Sequence, residues 1–196
     1  MKDPERTRAI ILKAAFQEVH RKGFKAASLS DILARTSVTK GALYHHFPNK
    51  NALGLALLDA IEERIVQLWI EPLQTSADPL DDLMKITREA VEALTLVDVE
   101  LGCPLNNLAQ EMSSLDESFR LKVAAIYETW RKGIAQALTA GQQKGIIAQG
   151  IDPAGAATFY IASLSGCRGL AKNARSLEIF QSCLQGISHY LESLRT

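Results

Sequence analysis

The chain has 196 residues, and its 22 Lys and Arg balance its 22 Asp and Glu, so the formal net charge is zero. Hydrophobic residues make up 47% of it, enough for a globular core. There is no apolar run of about eighteen residues and no signal-peptide pattern, so we expect neither a membrane protein nor an exported one.

The first predicted element is an amphipathic helix over about residues 4–22, with Leu12 and Phe16 on its apolar face. Gly23 followed by the apolar Phe24 is typical of a helix end. We expect this helix to support the two shorter helices that follow it.

Residues 28–50 predict two short helices joined by a tight turn. Ser28 and Thr39 are suited to cap them, because their hydroxyls can accept hydrogen bonds from free backbone amides. Leu43 and Phe47 stand four residues apart on the second helix and should pack against the first. This pattern is a helix-turn-helix, the motif that places a recognition helix in the DNA major groove.

The run VTKGALYHHFPNK, from Val38 to Lys50, resembles the signature of TetR-type transcriptional repressors. One residue departs from the pattern: Ser37 stands in the turn where the family often has glycine, and a left-handed backbone there would carry mild strain. The resemblance implies an all-α protein with a three-helix DNA-binding head over residues 1–48. A larger helical ligand-binding and dimerisation body would occupy residues 49–196, giving about nine helices.

The resemblance also implies which residues bind DNA. Lys40 and Ala42 would face base edges, and Lys40 is the candidate for sequence readout because lysine can donate to O6 and N7 of guanine. The remaining residues of the set would contact phosphates or allow close approach of the backbone. The predicted DNA-binding residues are Ser28, Thr39, Lys40, Gly41, Ala42, Tyr44, His45 and Lys50. The alternative is that Tyr44 and His45 only cover a solvated face.

His45 and His46 could suggest a metal site. Neighbouring residues on a helix point about 100° apart, so this pair cannot chelate one ion. We expect no metal and no cofactor, and we expect His46 to pack inside the head.

A fourth helix is predicted over about residues 49–71, ending before Pro72. The helical period continues in five further segments, and Asp78 and Asp152 are each followed by proline, which is typical of a capped helix start. These segments are 79–97, 104–114, 116–143, 153–172 and 176–194.

The last two predicted helices include a segment rich in small residues, from Ala154 to Gly169, which suits close helix packing. A buried helix within one subunit would have the same composition. The resemblance implies a homodimer paired through these helices as a four-helix bundle, with two heads about 34 Å apart on a palindromic site. Cys167 and Cys183 fall here and are expected to be packing residues, since three cysteines and a reducing cytoplasm predict no structural disulfide.

The resemblance further implies a small-molecule pocket among the central helices. Side chains of the predicted body, most of them large, are candidates to line it, although each could be ordinary core. The candidates are Trp69, Cys103, Asn107, Met112, Tyr127, Trp130, Phe159 and Tyr160.

Cys103 is the sharpest of these candidates. Pro104 suits the first position of a helix, which would place Cys103 at the N-cap, where the helix dipole favours a reactive thiolate. The Gly102-Cys103 pair resembles a subgroup of TetR-type repressors, among them the repressor of N-ethylmaleimide reductase, in which the matching cysteine senses electrophiles or oxidants. The alternative is a small residue that packs the helix start.

Charge agrees with a DNA-binding head. Residues 1–53 hold 10 basic and 4 acidic residues, a net of +6, and residues 54–196 hold 12 and 18, a net of −6. Chance asymmetry could give a similar difference. A basic head on an acidic body nevertheless favours nucleic-acid binding.

The sequence therefore predicts a cytoplasmic, homodimeric repressor released from a palindromic operator by a small-molecule or electrophile inducer. Activation instead of repression would depend on where the operator lies. Two alternatives stay open: a helical protein-interaction adaptor with no DNA role, and a cysteine-dependent enzyme with His20 or His189 as its base. Neither histidine belongs to a recognisable catalytic pattern, so we expect no enzyme.

Overall fold

The computed structural model describes residues 3–196, and the fold is all-α, as predicted. Within these residues the only β-type pairing is an isolated bridge between Ile147 and Arg195. None of the helices in the described range is long and apolar enough to span a bilayer. The helices are α1 (Pro4–Lys22), α2 (Leu29–Ala34), α3 (Lys40–His46), α4 (Lys50–Ile65), α5 (Glu71–Gln74), α6 (Pro79–Glu92), α7 (Leu96–Leu101), α8 (Pro104–Met112), α9 (Glu117–Gln143), α10 (Pro153–Ala174) and α11 (Leu177–Glu192).

The helix starts follow the predicted capping residues. Asp78 and Asp152 each accept two backbone amides at the start of α6 and α10, with proline in the first turn. Helix α7 was not predicted, because it occupies the end of the segment assigned to 79–97 and the residues after it. Thr95 begins it with a capping box, in which Asp98 also accepts the Thr95 amide at 2.9 Å.

The prediction that the fourth helix ends before Pro72 was wrong. Helix α4 passes into a π-helical turn at Val66–Ile70 and then into α5, which carries Pro72 in its first turn. A proline cannot donate to the carbonyl four residues back, and its ring clashes with that carbonyl. The wider π turn just before Pro72 changes the local hydrogen bonding, so the chain stays helical as far as Gln74.

The chain divides into two compact units. The head unit comprises the residues up to Glu62 together with Pro104–Ala124, and the body unit comprises Glu63–Cys103 with Ala125–Thr196. The head unit thus contains α4 to Glu62, α8 and the start of α9 as well as the first three helices. The functional boundary predicted after residue 48 stays a prediction.

Each unit has its own apolar core. Long-range packing in the head unit includes Phe24 on Phe119, with ring centroids 4.7 Å apart. Residues buried in the head unit include Ile11, Ala15, Ile32, Leu43, Leu53, Leu58, Leu105 and Phe119, and those in the body unit include Leu80, Leu83, Ile126, Ile134, Leu138, Tyr160 and Leu191.

A disulfide joins Cys167 on α10 to Cys183 on α11. The prediction of no structural disulfide, with both cysteines as plain packing residues, was wrong. Helices α10 and α11 pack side by side and bring the two Cα atoms to 5.9 Å, within the range for a disulfide. Cys103 is a free, half-buried cysteine.

Candidate DNA-binding surface and effector region

The turn between α2 and α3 is held by side-chain hydrogen bonds. The Thr36 hydroxyl donates to the Leu33 carbonyl (3.1 Å) and accepts the Val38 amide (3.2 Å). Thr39 caps α3 by accepting the Ala42 amide at 3.3 Å. Ser37 has no positive φ, since Arg175 is the only non-glycine residue in the described range that does. The departure from the family pattern at Ser37 therefore carries no left-handed strain.

Helix α3 presents polar side chains to solvent. Thr39, Lys40, Gly41, Tyr44 and His45 are all exposed, and Ser28 and Ala42 are half-buried. The Nζ atom of Lys40 lies 5.9 Å from the Tyr44 ring centroid, one helical turn away. Since Leu43 is fully buried on the opposite side, α3 is oriented with its Lys40–Tyr44 face outward. Contact of these residues with DNA stays a prediction.

Behind this surface a buried carboxylate connects α1 to the turn. The Glu18 side chain is only 1% exposed and pairs with Lys22 at 2.6 Å, Arg35 at 2.8 Å and Arg21 at 3.0 Å. The Lys22 hydrogen bond is the main reason that the Glu18 pKa lies below its ordinary value. Arg35 follows α2 directly, so Glu18 holds the start of the turn against α1. In the sequence Glu18 and Lys22 look like an ordinary exposed i, i+4 ion pair. Only the burial of Glu18 in the structure distinguishes this pair from a surface one.

Lys50 makes contacts within the protein that the sequence did not indicate. Its Nζ donates to the Lys25 carbonyl at 3.0 Å and lies 4.8 Å from the Phe24 ring centroid. Burial lowers the pKa of Lys50. The predicted phosphate contact of Lys50 remains untested, and in this structure its ammonium group stabilises the loop between α1 and α2.

In the body unit, three of the candidate ligand residues come together. Trp69 lies 5.4 Å from Trp130 and 6.3 Å from Tyr160, measured between ring centroids. Tyr160 is buried, and its hydroxyl shares a 2.5 Å hydrogen bond with Thr87. The Trp130 indole N–H is buried, and residues 3–196 provide it with no hydrogen-bond partner. The cluster joins the π-helical turn that carries Trp69 to α9 and α10.

Tyr127 is close enough to Cys103 for a charge on the thiol to affect the Tyr127 pKa. Burial raises the Tyr127 pKa to about 12, and the negative charge of a Cys103 thiolate adds to the effect. A hydrogen bond with Ser165 opposes it. Helix α8 begins at Pro104, as predicted, so Cys103 directly precedes it.

A tight, partly open crevice without room for a water molecule lies beside Gly102. Arg168 lines it and donates through Nη2 to the Gly102 carbonyl at 3.0 Å. The remaining lining residues are Leu94, Val99, Ala171 and Phe180. The sequence did not single out Arg168, which stands among the small residues of α10.

Three candidates remain, Phe159, Asn107 and Met112. Phe159 is 54% exposed, and its ring packs on Tyr190 with centroids 4.5 Å apart. Asn107 and Met112 are on α8 in the head unit, where Met112 is buried. A ligand role for these three stays a prediction. Within residues 3–196 no three His, Cys, Asp or Glu side chains converge as metal ligands would.

A capped helix-turn-helix with an exposed, lysine-bearing second helix, joined to a helical body, defines a DNA-binding transcriptional regulator. Two protein-family models that match the chain agree with this class of protein. The model described as "Bacterial regulatory proteins, tetR family" matches residues 11–57, and "Tetracyclin repressor-like, C-terminal domain" matches residues 79–187. The chain belongs to the TetR family.

Individual proteins are similar as well. The transcriptional regulator AcuR of Cereibacter sphaeroides is 33% identical over 144 residues, which cover 73% of this chain and 66% of that regulator. The crystal structure of the regulatory protein TetR from Rhodobacter sphaeroides has a TM-score of 0.80 and 27% identity, covering 93% of this chain and 97% of that one. Reduced NemR of E. coli has a TM-score of 0.79 and 24% identity, covering 97% of each chain, and shares the fold. The more specific likeness of Cys103 to an electrophile sensor stays a prediction.

Proposed function

We propose that this regulator is a repressor that binds a palindromic operator as a homodimer and is released by a small-molecule or electrophile inducer. The observation that carries the proposal is the exposed face of α3, where Lys40 and Tyr44 stand on a helix held at both ends. Lys40 is proposed to read a base, and Thr39, Tyr44 and His45 to contact phosphates. The protein would act by binding alone, in the cytoplasm, where its DNA partner lies.

A row of small and apolar residues on α10 supports the homodimer. Beyond the adjacent residues and the backbone of its own helical turn, a Cβ added at Gly166 or Gly169 would meet no atom of residues 3–196 within 4 Å. Phe159 and Leu170 of the same helix are 54% and 62% exposed. Exposed apolar side chains beside bare backbone favour close approach of a second helix, and α10 of a second copy would cover them. Gly166→Arg should therefore convert dimer to monomer in sedimentation without changing the helix content.

The effector region is proposed to lie around Cys103 in the body unit. The thiol is half-buried and free, and the carbonyl of Gly102 beside it accepts a hydrogen bond from the Arg168 guanidinium. An inducer that binds or modifies this region must favour an arrangement of the heads that does not fit the operator, because otherwise the binding equilibrium does not shift. The inducer would either modify Cys103 covalently or bind noncovalently in the same region.

The test of DNA readout uses a duplex that the wild-type protein selects from a random-sequence pool. Lys40→Ala should weaken binding to that duplex and relax discrimination at one base position by about 1–3 kcal/mol. Lys85→Ala is the control, because Lys85 is an exposed lysine on α6 in the body unit. Equal loss on random DNA would contradict a readout role for Lys40. If the wild-type protein selected no duplex from the pool, the alternative of an adaptor without a DNA role would be favoured.

The test of the effector uses N-ethylmaleimide on the complex with the same duplex. The sulfur of Cys103 would add across the maleimide double bond, and the maleimide carbon would take up the proton. Release of the wild-type protein, and retention of Cys103→Ser on the DNA, would support the covalent form. Release of both proteins to the same extent would exclude Cys103 as the sensor and direct the search to noncovalent ligands.

A further inference from the structure

Helix α8 is attached to the loop between α1 and α2 through one carboxylate. The Phe24 amide donates to Oε2 of Glu111 at 2.7 Å, and the Lys25 amide donates to Oε1 at 2.8 Å. Both oxygens are therefore used, each on a separate backbone amide. Charge-assisted hydrogen bonds of this length are among the stronger ones in proteins.

The loop is shaped to receive the carboxylate. Gly23 has a φ of +87°, and a Cβ added there would lie 3.0 Å from Oε2 of Glu111. Glycine is thus required both by the backbone conformation and by the close approach of Glu111. The left-handed turn directs two successive amides towards one point, where an anion fits.

The rest of the loop has little freedom to move away from Glu111. The Phe24 ring is 7% exposed and packs on Phe119. Lys50 holds the loop from α4, by donating to the Lys25 carbonyl and by lying over the Phe24 ring. A displacement of Glu111 would therefore move the loop, or it would break two charge-assisted hydrogen bonds.

The loop leads directly into the DNA-binding motif. Three residues after Lys25, Ser28 caps α2 by accepting the Asp31 amide at 3.0 Å. At the other end, Glu111 lies about two helical turns from Pro104, the first residue of α8. Helix α8 thus runs roughly 10 Å from Pro104, the residue after Cys103, to Glu111, which binds the loop that precedes the helix-turn-helix.

We infer that Glu111 is a positioning residue for operator binding, which holds the helix-turn-helix in register with α8 and transmits displacement of α8 to it. This inference rests on the proposed operator binding and names a residue that regulates it. Glu111 itself does not contact DNA in this scheme. It acts through the backbone of Phe24 and Lys25.

The experiment compares Glu111→Gln with Glu117→Gln in the full-length protein. Glutamine keeps the shape of Glu111 but loses the charge and one of the two acceptor oxygens. Glu117 is a matched control, since it lies exposed on α9 of the same unit and pairs with the nearby Arg120. Fluorescence anisotropy would give the affinity for the selected duplex and for a random duplex of equal length.

We expect Glu111→Gln to lose operator affinity about 5- to 20-fold, within the usual range for coupling between sites. Random-duplex affinity should stay within about twofold of wild type, because the exposed lysines and the recognition helix are intact. A purely structural role would lower both affinities, or neither. Glu111→Asp, one methylene shorter, should also lose operator affinity if contact with both amides is required.

The outcomes are distinguishable. Equal preference for the operator in wild type, Glu111→Gln and Glu117→Gln would overturn the role of Glu111 and leave the proposed function intact. Absence of any preference in the wild-type protein would overturn the proposed function, and the positioning role with it. Faster amide exchange at Phe24 and Lys25 in Glu111→Gln, together with selective operator loss, would support the inference.

Discussion

Replacing Gly54 with alanine should destabilise the head unit, even though alanine favours helices. Gly54 is buried within α4. A Cβ there would lie 2.5 Å from Cε2 of Phe24 and would also collide with the Phe119 ring. Non-bonded carbon atoms sit about 3.5–4.0 Å apart at their optimum. Both rings would have to move, each by roughly 1 Å.

Neither ring is free to make that movement. Phe119 is 0% exposed and Phe24 7% exposed, and the Phe24 backbone is held by Glu111. Overpacking a core costs about 1–3 kcal/mol, and we expect the upper end for Gly54→Ala. Alanine recovers about 1 kcal/mol of helix propensity. The net loss should be about 2 kcal/mol, and at about 2–4 °C per kcal/mol the Tm should fall by about 4–8 °C.

Thermal and urea unfolding, followed by circular dichroism, would measure the loss. Gly41→Ala is the matched control, because Gly41 lies on a helix of the same unit and a Cβ there would meet nothing within 4 Å. The control should be unchanged, or more stable by up to about 1 kcal/mol. If Gly54→Ala proved as stable as wild type, the packing of Phe24 and Phe119 against α4 would be refuted.

Two further changes test the interior of each unit. Because its ion pairs hold the Glu18 pKa below the ordinary value, their stabilisation is present above that ordinary value and is lost as pH falls through the lowered one. Glu18→Gln should therefore lower the Tm at neutral pH, and the difference from wild type should shrink on acidification; a difference independent of pH would contradict this. Cys183→Ser should lower the stability of the body unit by about 2–4 kcal/mol, as its bond to Cys167 closes a loop of 16 residues. Urea unfolding of wild type in excess reductant should match that variant, and a wild type insensitive to reductant would argue against the disulfide.

Short-range signals in the sequence were the most successful predictors. Ser28 and Thr39 cap α2 and α3, and Asp78 and Asp152 cap α6 and α10, because a cap depends on residues within three positions of itself. The all-α class and the helix-turn-helix followed from the same kind of local pattern. The rule that a helix ends before a proline failed at Pro72. A π-helical turn just before this residue lets the chain stay helical, and the rule does not include such a turn.

Contacts between distant segments were not predictable in the same way. Glu111 binds amides 86 and 87 positions away along the chain. Nothing near Glu111 in the sequence marks it, because an acidic residue at a helix end usually faces water. The pairing of Cys167 with Cys183 and the use of Lys50 inside the head unit likewise depend on how helices pack.

The sequence alone determined the class of this protein, since helical period, caps and the run from Val38 to Lys50 are local properties of the chain. Only the tertiary structure decided which polar groups are exposed and which are held inside. In the sequence Glu18, Lys50 and Glu111 cannot be told from charged residues on the surface. Their burial and the distances to their partners in the structure distinguish them. Those quantities arise when segments far apart in the chain come together, so a single sequence does not contain them in readable form.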